Sequence, residues 1–166
     1  LTRNRDAYAL GYNNISPVEP APRIAEKAKA FLNNAPGLDK PFYLEIGFFE
    51  PHRPYNWGDT SPDSSKGVDF AALQGMIRSM DEAIGVVLAA LEKNELAEET
   101  LVIFTTDHGL AMPRAKCTLY DPGLGTSLLM RWPAQGISGG RRYAELLSHV
   151  DILPAMLEAI GLPVPG

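Results

Sequence analysis

The sequence predicts an α/β fold with a largely parallel sheet flanked by helices, and three observations carry that expectation. Segments of helical periodicity alternate with short runs that are apolar almost throughout: PFYLEIGFF at 41–49, LVIFTT at 101–106 and SLLMRW at 127–132. Strands covered on both faces read this way, whereas a strand with one wet face alternates. Polar outbursts then follow two of these runs directly, Glu50-Pro51-His52-Arg53-Pro54 and Asp107-His108-Gly109. In open α/β sheets ligands bind beyond the carboxyl ends of the strands, so these two junctions form the candidate site.

Taken in order, residues 1–22 are punctuated by Pro17, Pro20 and Pro22 and are expected to be an extended connector. Residues 23–33 place Ile24, Ala28, Phe31 and Leu32 on one helical face, and Pro36-Gly37 stops the run. The first strand, 41–49, is rich in aromatic and branched residues. Residues 56–67 (NWGDTSPDSSKG) form a polar loop expected to border the pocket. A long helix begins near Asp69, with Leu73, Met76, Ile77, Met80, Ile84, Val87, Leu88 and Leu91 on a single stripe. Strands at 101–106 and 127–132 follow, the second ended by Pro133. A last helix spans about 151–160, capped by Asp151 and stopped by Gly161.

Composition narrows the possible functions. The 166 residues are 45% hydrophobic and 21% charged, an ordinary globular balance for one domain, 1–166. A chain of this length buries roughly 70% of its unfolded surface. The net charge of −5 leaves no basic stripe to neutralise phosphates, which argues against nucleic acid as a partner. The N-terminus has no apolar leader, and the longest apolar run, 84–91, is too short to span a membrane. Asn14-Ile15-Ser16 matches a glycosylation acceptor, although Pro17 directly after it weakens the match. The single cysteine, Cys117, excludes an internal disulfide.

The residues that can carry chemistry are few. Asp107 and His108 at a strand end can jointly hold a divalent cation; the competing reading is a turn-capping aspartate beside an exposed histidine. His52 lies between prolines that stiffen its backbone, which suits a proton donor or an oxyanion ligand, or simply an exposed loop histidine. Lys116 offers a point positive charge to an anion, or is a solvated lysine. Cys117 reads better as a small hydrophobe than as a nucleophile. His149 and Asp151 look like two members of a triad, yet Asp151 already has work as a helix cap, so both read as structural. These residues by themselves describe an anion- or metal-binding cleft.

Three stretches in this order, PFYLEIGFFEPHRPY, SMDEAIGVVLAALEKNELAEETLVIFTTDHG and KCTLYDPG, resemble the type I sulfatases of the alkaline phosphatase superfamily. The heparan N-sulfatase (sulfamidase)-like enzymes are the subgroup they most resemble, and the resemblance covers about 23–162. It implies an alkaline phosphatase-like fold and hydrolysis of a sulfuric ester or sulfamate. Asp107 and His108 would be ligands of a Ca2+ ion, with Zn2+ or Mn2+ as the alternatives. His52 would contact the sulfate and protonate the leaving group, and Lys116 would bind a sulfate oxygen. The partner implied is a sulfated carbohydrate or another small sulfate ester or sulfamate, with neither nucleic acid nor membrane. The compartment implied is periplasmic, secreted or lysosomal.

The family's Cys/Ser-x-Pro-x-Arg motif, whose first residue becomes formylglycine, has no match here. Cys117 is followed by Thr118, Leu119, Tyr120 and Asp121, and Ser127 has Leu129 where proline is needed. The resemblance therefore implies the middle and later part of a sulfatase catalytic domain, with the nucleophile and an Asp-Asp pair expected upstream. Such a piece would be inactive alone. Two alternatives stay open: a metal-dependent phosphoesterase of the same superfamily, and a non-catalytic module that binds a sulfated glycan.

Overall fold

The computed structural model describes residues 11–52, 70–109 and 111–164. Its first helix, α1, spans Ala21–Asn34, two residues longer at its start than the periodicity of 23–33 suggested. Pro20 and Pro22 explain the start: proline's fixed φ suits the first turn, and its missing N–H needs no partner there. The remaining donors are satisfied individually. Arg23 N–H donates to the Pro20 carbonyl at 2.9 Å, and Ala21 N–H donates to the Glu50 carboxylate at 2.8 Å.

The second helix, α2, spans Phe70–Lys93 and buries Leu73, Met76, Ala83, Val87, Ala90 and Leu91, which lie on the predicted stripe or beside it. It packs on α1 through small residues: Ala21, Ala25, Ala28 and Leu32 of α1 meet Ala83, Val87, Ala90 and Leu91 of α2. Alanines let the backbones approach closely, so the helices form one layer. Asn94 Nδ2 donates to Asn33 Oδ1 at 3.0 Å and ties their C-terminal ends together.

Residues 41–49 lie across this helical layer. Phe42, Leu44, Ile46 and Phe48 face the core, while Tyr43, Glu45 and Gly47 point outward. That is the period of a strand. Among the described residues, however, the segment pairs with no other strand, so the predicted strand is an extended segment held by side-chain packing rather than by a ladder.

The two paired strands are β1, Val102–Thr105, and β2, Leu128–Arg131. The α/β class holds. The parallel arrangement does not hold for this pair: β1 and β2 run antiparallel, with Val102 opposite Arg131 and Thr105 opposite Leu128. The reason lies in the connection. A parallel pair needs a crossover, usually a helix laid over the sheet. The described residues between them, 106–109 and 111–127, instead fold back as a loop with a helical turn, α3, at Asp121–Leu124.

The last helix, α4, is Ile152–Ala159, preceded by a 3-10 turn at His149–Asp151. Gly161 takes a left-handed φ of 74° just past its end, as a helix stop requires. Asp151 caps differently from the expectation. Its carboxylate reaches back and accepts the Ser148 N–H at 2.7 Å, closing the turn ahead of the helix. The residues expected to form a pocket-bordering loop, 56–67, lie outside the described residues, as do residues 1–10 of the expected N-terminal connector.

Candidate active site at the mouth of β1

Three segments converge where β1 ends. Thr105 Oγ1 donates to the Ser127 carbonyl at 2.9 Å. Ser127 N–H donates to Thr106 Oγ1 at 3.0 Å, and Thr106 N–H donates to the Ser127 carbonyl at 3.3 Å. From the other side, His149 Nε2 lies 3.0 Å from Thr105 Oγ1. The threonine pair thus serves both as the end of the ladder and as an anchor, and Asp107 and His108 follow directly from it.

Asp107 and His108 face one another, with Nε2 of the imidazole 3.2 Å from Oδ2 of the carboxylate. The other ring nitrogen fixes the tautomer. His108 Nδ1 is 2.7 Å from the Gly109 carbonyl, which can only accept, so Nδ1 carries the hydrogen. In the neutral ring, Nε2 then turns a lone pair toward a carboxylate oxygen. Two lone pairs at that distance repel unless a positive charge lies between them, supplied by a second ring proton or by a cation. Donors ~2.3–2.6 Å from a calcium ion and at right angles would stand ~3.3–3.7 Å apart, a little farther than the separation seen. Asp107 is well exposed, with 85% of its side chain accessible, so an ion can reach it.

The donor set fits one side of a cation site. Calcium takes six to eight oxygens and zinc about four ligands, and no group of three or more His, Cys, Asp and Glu gathers among the described residues. A carboxylate suits calcium well; an imidazole nitrogen suits zinc better.

Lys116 sits in the loop after β1, half-buried between buried Ala115 and the left-handed Cys117. The ion pairs among the described residues do not use its ammonium. Two glycines set the shape of this loop. A Cβ on Gly123 would meet the Thr118 carbonyl at 2.6 Å, and one on Gly109 would strike the Pro122 carbonyl. Only glycine at 109 and 123 lets the loop close onto the Asp107-His108 turn. Cys117 is a free thiol, exposed rather than buried as a small hydrophobe would be.

His52 is exposed, its ring tilted on Phe49 with centroids 5.1 Å apart. Its N–H donates to the Phe49 carbonyl at 2.8 Å, which closes a tight turn. Phe49 in turn packs on Leu73 and Met76 of α2, the same patch that receives Met112. The loop bearing His52 and the loop bearing Lys116 therefore start from one shared apolar footing.

Two contributors escaped the sequence reading. Glu50 is 6% exposed and joins the His52 turn to the start of α1; an acid ending an apolar run was the available signal. His149, noticed beside Asp151 and read as structural, reaches β1, and nothing local pointed to that partner.

Comparison with known proteins places these features in context. The family model described as Sulfatase matches residues 12–162. Steryl-sulfatase of Mus musculus is 32% identical over 165 residues, covering 87% of this chain and 25% of its own length. The ulvan-active sulfatase of Formosa agariphila is 38% identical over 93 residues, covering 56% of this chain and 15% of its own. N-sulphoglucosamine sulphohydrolase of Homo sapiens is 26% identical over 168 residues, covering 77% and 33%. Among solved structures, Ps i-CgsB in complex with k-i-k-neocarrahexaose superposes with a TM-score of 0.73 at 22% identity, over 97% of this chain and 42% of that one. The chain spans a third or less of the length of these curated relatives.

Proposed function

This chain belongs to the sulfatase family, and on that premise we propose that it forms one side of the active site of a sulfuric-ester or sulfamate hydrolase. The observation that supports the reading is the 3.2 Å approach of His108 Nε2 to Asp107 Oδ2, with Nδ1 already committed to the Gly109 carbonyl. Such a pair calls for positive charge between its members. Asp107 and His108 would hold the cation, calcium by family resemblance, which when bound supplies positive charge to the sulfate oxygens.

The chain's own residues then divide the remaining work. Lys116, its ammonium uncommitted, would bind a sulfate oxygen and stabilise the charge that grows on it. His52, held by its turn and by the Phe49 ring, would contact the sulfate and hand a proton to the leaving oxygen or nitrogen. The loop packed over Gly109 would keep the ammonium close to the Asp107-His108 turn. No residue here fits a formylglycine: Cys117 lacks the proline and arginine that follow the modified residue in this family. The nucleophilic step is therefore not assigned to this chain.

A sulfated carbohydrate is the substrate class we favour, supported by a relative named for activity on ulvan and by a structural neighbour solved with a neocarrahexaose. The test is calcium-dependent hydrolysis of an aryl sulfate by the full-length gene product, with Asp107→Asn alongside. The reading expects turnover that chelation abolishes and that the variant loses. Hydrolysis of an aryl phosphate with bound zinc, and none of the sulfate, would establish the phosphoesterase alternative, which the nitrogen ligand His108 favours. Glycan binding without turnover would establish a binding module.

A further inference from the structure

Beyond the four residues that would meet the substrate or its cation, one side chain acts on the same strand end from a distance. His149 lies 44 positions from Thr105 in sequence, yet its Nε2 is 3.0 Å from Thr105 Oγ1. The direction of this bond depends on the one hydroxyl hydrogen of Thr105 and on the tautomer of the ring. Thr105 has one hydroxyl hydrogen, and the Ser127 carbonyl takes it at 2.9 Å; the Thr106 carbonyl at 3.5 Å is a far poorer acceptor. With that hydrogen on the Ser127 carbonyl, His149 donates through Nε2–H to the Thr105 oxygen; turned instead to His149 Nε2, the hydroxyl makes the same bond in the other direction.

The imidazole itself is held firmly. Ser148 N–H donates to Asp151 Oδ2 at 2.7 Å, and Asp151 N–H donates to the Ser148 carbonyl at 2.9 Å. The turn that presents the imidazole is thus closed from both ends, and His149 stands between two fixed residues. On the strand side, Thr105 and Thr106 are bound to Ser127 by three hydrogen bonds. Asp107 is the next residue. An anchor at Thr105 therefore sets where the Asp107 carboxylate and the His108 ring begin.

We propose that His149 is a positioning residue for the sulfatase reaction, holding the end of β1 through Thr105 so that Asp107 and His108 keep their mutual approach. The proposal rests on the reading of Asp107 and His108 given above. It assigns His149 no contact with substrate. Outer partners that orient metal-binding side chains are worth about 10–100-fold in affinity or activity when removed.

Two measurements on the full-length gene product test it, each with His149→Phe and His149→Gln. Glutamine keeps a donor and an acceptor at similar reach; phenylalanine keeps the bulk without either. The first measurement needs neither metal nor substrate. In protein labelled with 15N-histidine, the His108 amide resonance should move in His149→Phe and return to its wild-type place in His149→Gln. The second is kinetic: His149→Phe should lower kcat at least about tenfold with KM changed less than about threefold, and His149→Gln should recover most of the loss. An unmoved His108 amide in a folded His149→Phe protein overturns the proposal. So does a kcat equal to wild type. A wild-type protein that hydrolyses no sulfate, while its His108 amide still responds to His149, would instead overturn the sulfatase reading and leave the mechanical link standing.

Discussion

The backbone of Gly109 lies against the Pro122 carbonyl so closely that a Cβ at position 109 would stand 2.8 Å from the carbonyl carbon and overlap its oxygen. Gly123 shows the same crowding toward Thr118. The loop carrying Lys116 is therefore seated on the turn carrying Asp107 and His108, and its seat depends on the absence of a side chain.

Replacing Gly109 by alanine should separate the two. Inserting a methyl into such a contact costs roughly 1–3 kcal/mol, so Gly109→Ala should lower the urea midpoint accordingly. Turnover should fall by at least about tenfold, because Lys116 would shift from where charge develops. Equal stability and turnover for the variant would show that the loop does not close here.

Glu50 is tested by a pair of substitutions. Its carboxylate caps α1 through the Ala21 N–H while the chain enters the His52 turn. Glu50→Ala removes that acceptor from a buried place and should cost about 1–2 kcal/mol in denaturant unfolding. Glu50→Gln keeps an acceptor and should recover a good part of the loss. Equal losses for both variants would mean that the charge, and not the hydrogen bond, holds the helix start.

Direct removal of the proposed chemistry gives the sharpest contrast. In the full-length product, Lys116→Ala and His52→Ala should each lower kcat by at least about tenfold while calcium affinity, read by titration calorimetry, stays near wild type. Asp107→Asn should do the opposite in the calorimeter, weakening calcium by at least about tenfold. Calcium binding unchanged by Asp107→Asn would remove this residue from the cation site.

Alkaline stability offers a check far from the site. The hydrogen bond to the Glu45 carboxylate, followed by burial and the Glu45 charge, holds the Tyr12 phenol well above its usual 10.0. Burial first, then Glu45, also raises Tyr43. A raised folded pKa stabilises the folded state below the unfolded value and loses that stabilisation as pH climbs past it. Wild type should therefore lose stability above pH ~10 more steeply than Tyr12→Phe, followed by urea midpoints at stepped pH. Parallel curves for the two proteins would contradict the Tyr12–Glu45 contact.

How much of this was legible beforehand depended on the range of the interaction. The stripe from Leu73 to Leu91 and the glycine stop at Gly161 are local patterns, and the helices formed where they pointed. The run 41–49 kept the period of a strand, but pairing needs a partner ladder, which its own residues do not encode. Lys116 stood out as a lone lysine in the loop after β1; Asp107, His108 and His52 stood out because polar residues at the ends of apolar runs are costly without a purpose. Glu50 gave the same signal and was passed over. His149 was noticed beside Asp151, but nothing local pointed to Thr105, because that partner lies far along the chain.

Taken alone, the sequence determined the α/β class and the positions of the helices, and it pointed to two junctions as the candidate site, since periodicity and turn residues act over a few positions. The order of its motifs also determined the family. Tertiary structure decided the antiparallel pairing of β1 with β2, the cap on α1, the seat of the Lys116 loop and the anchor on Thr105. The cap and the anchor join residues 29 and 44 positions apart. Contacts of that span are chosen by which surfaces the packed helices and strands bring together, and a local pattern carries no record of that choice.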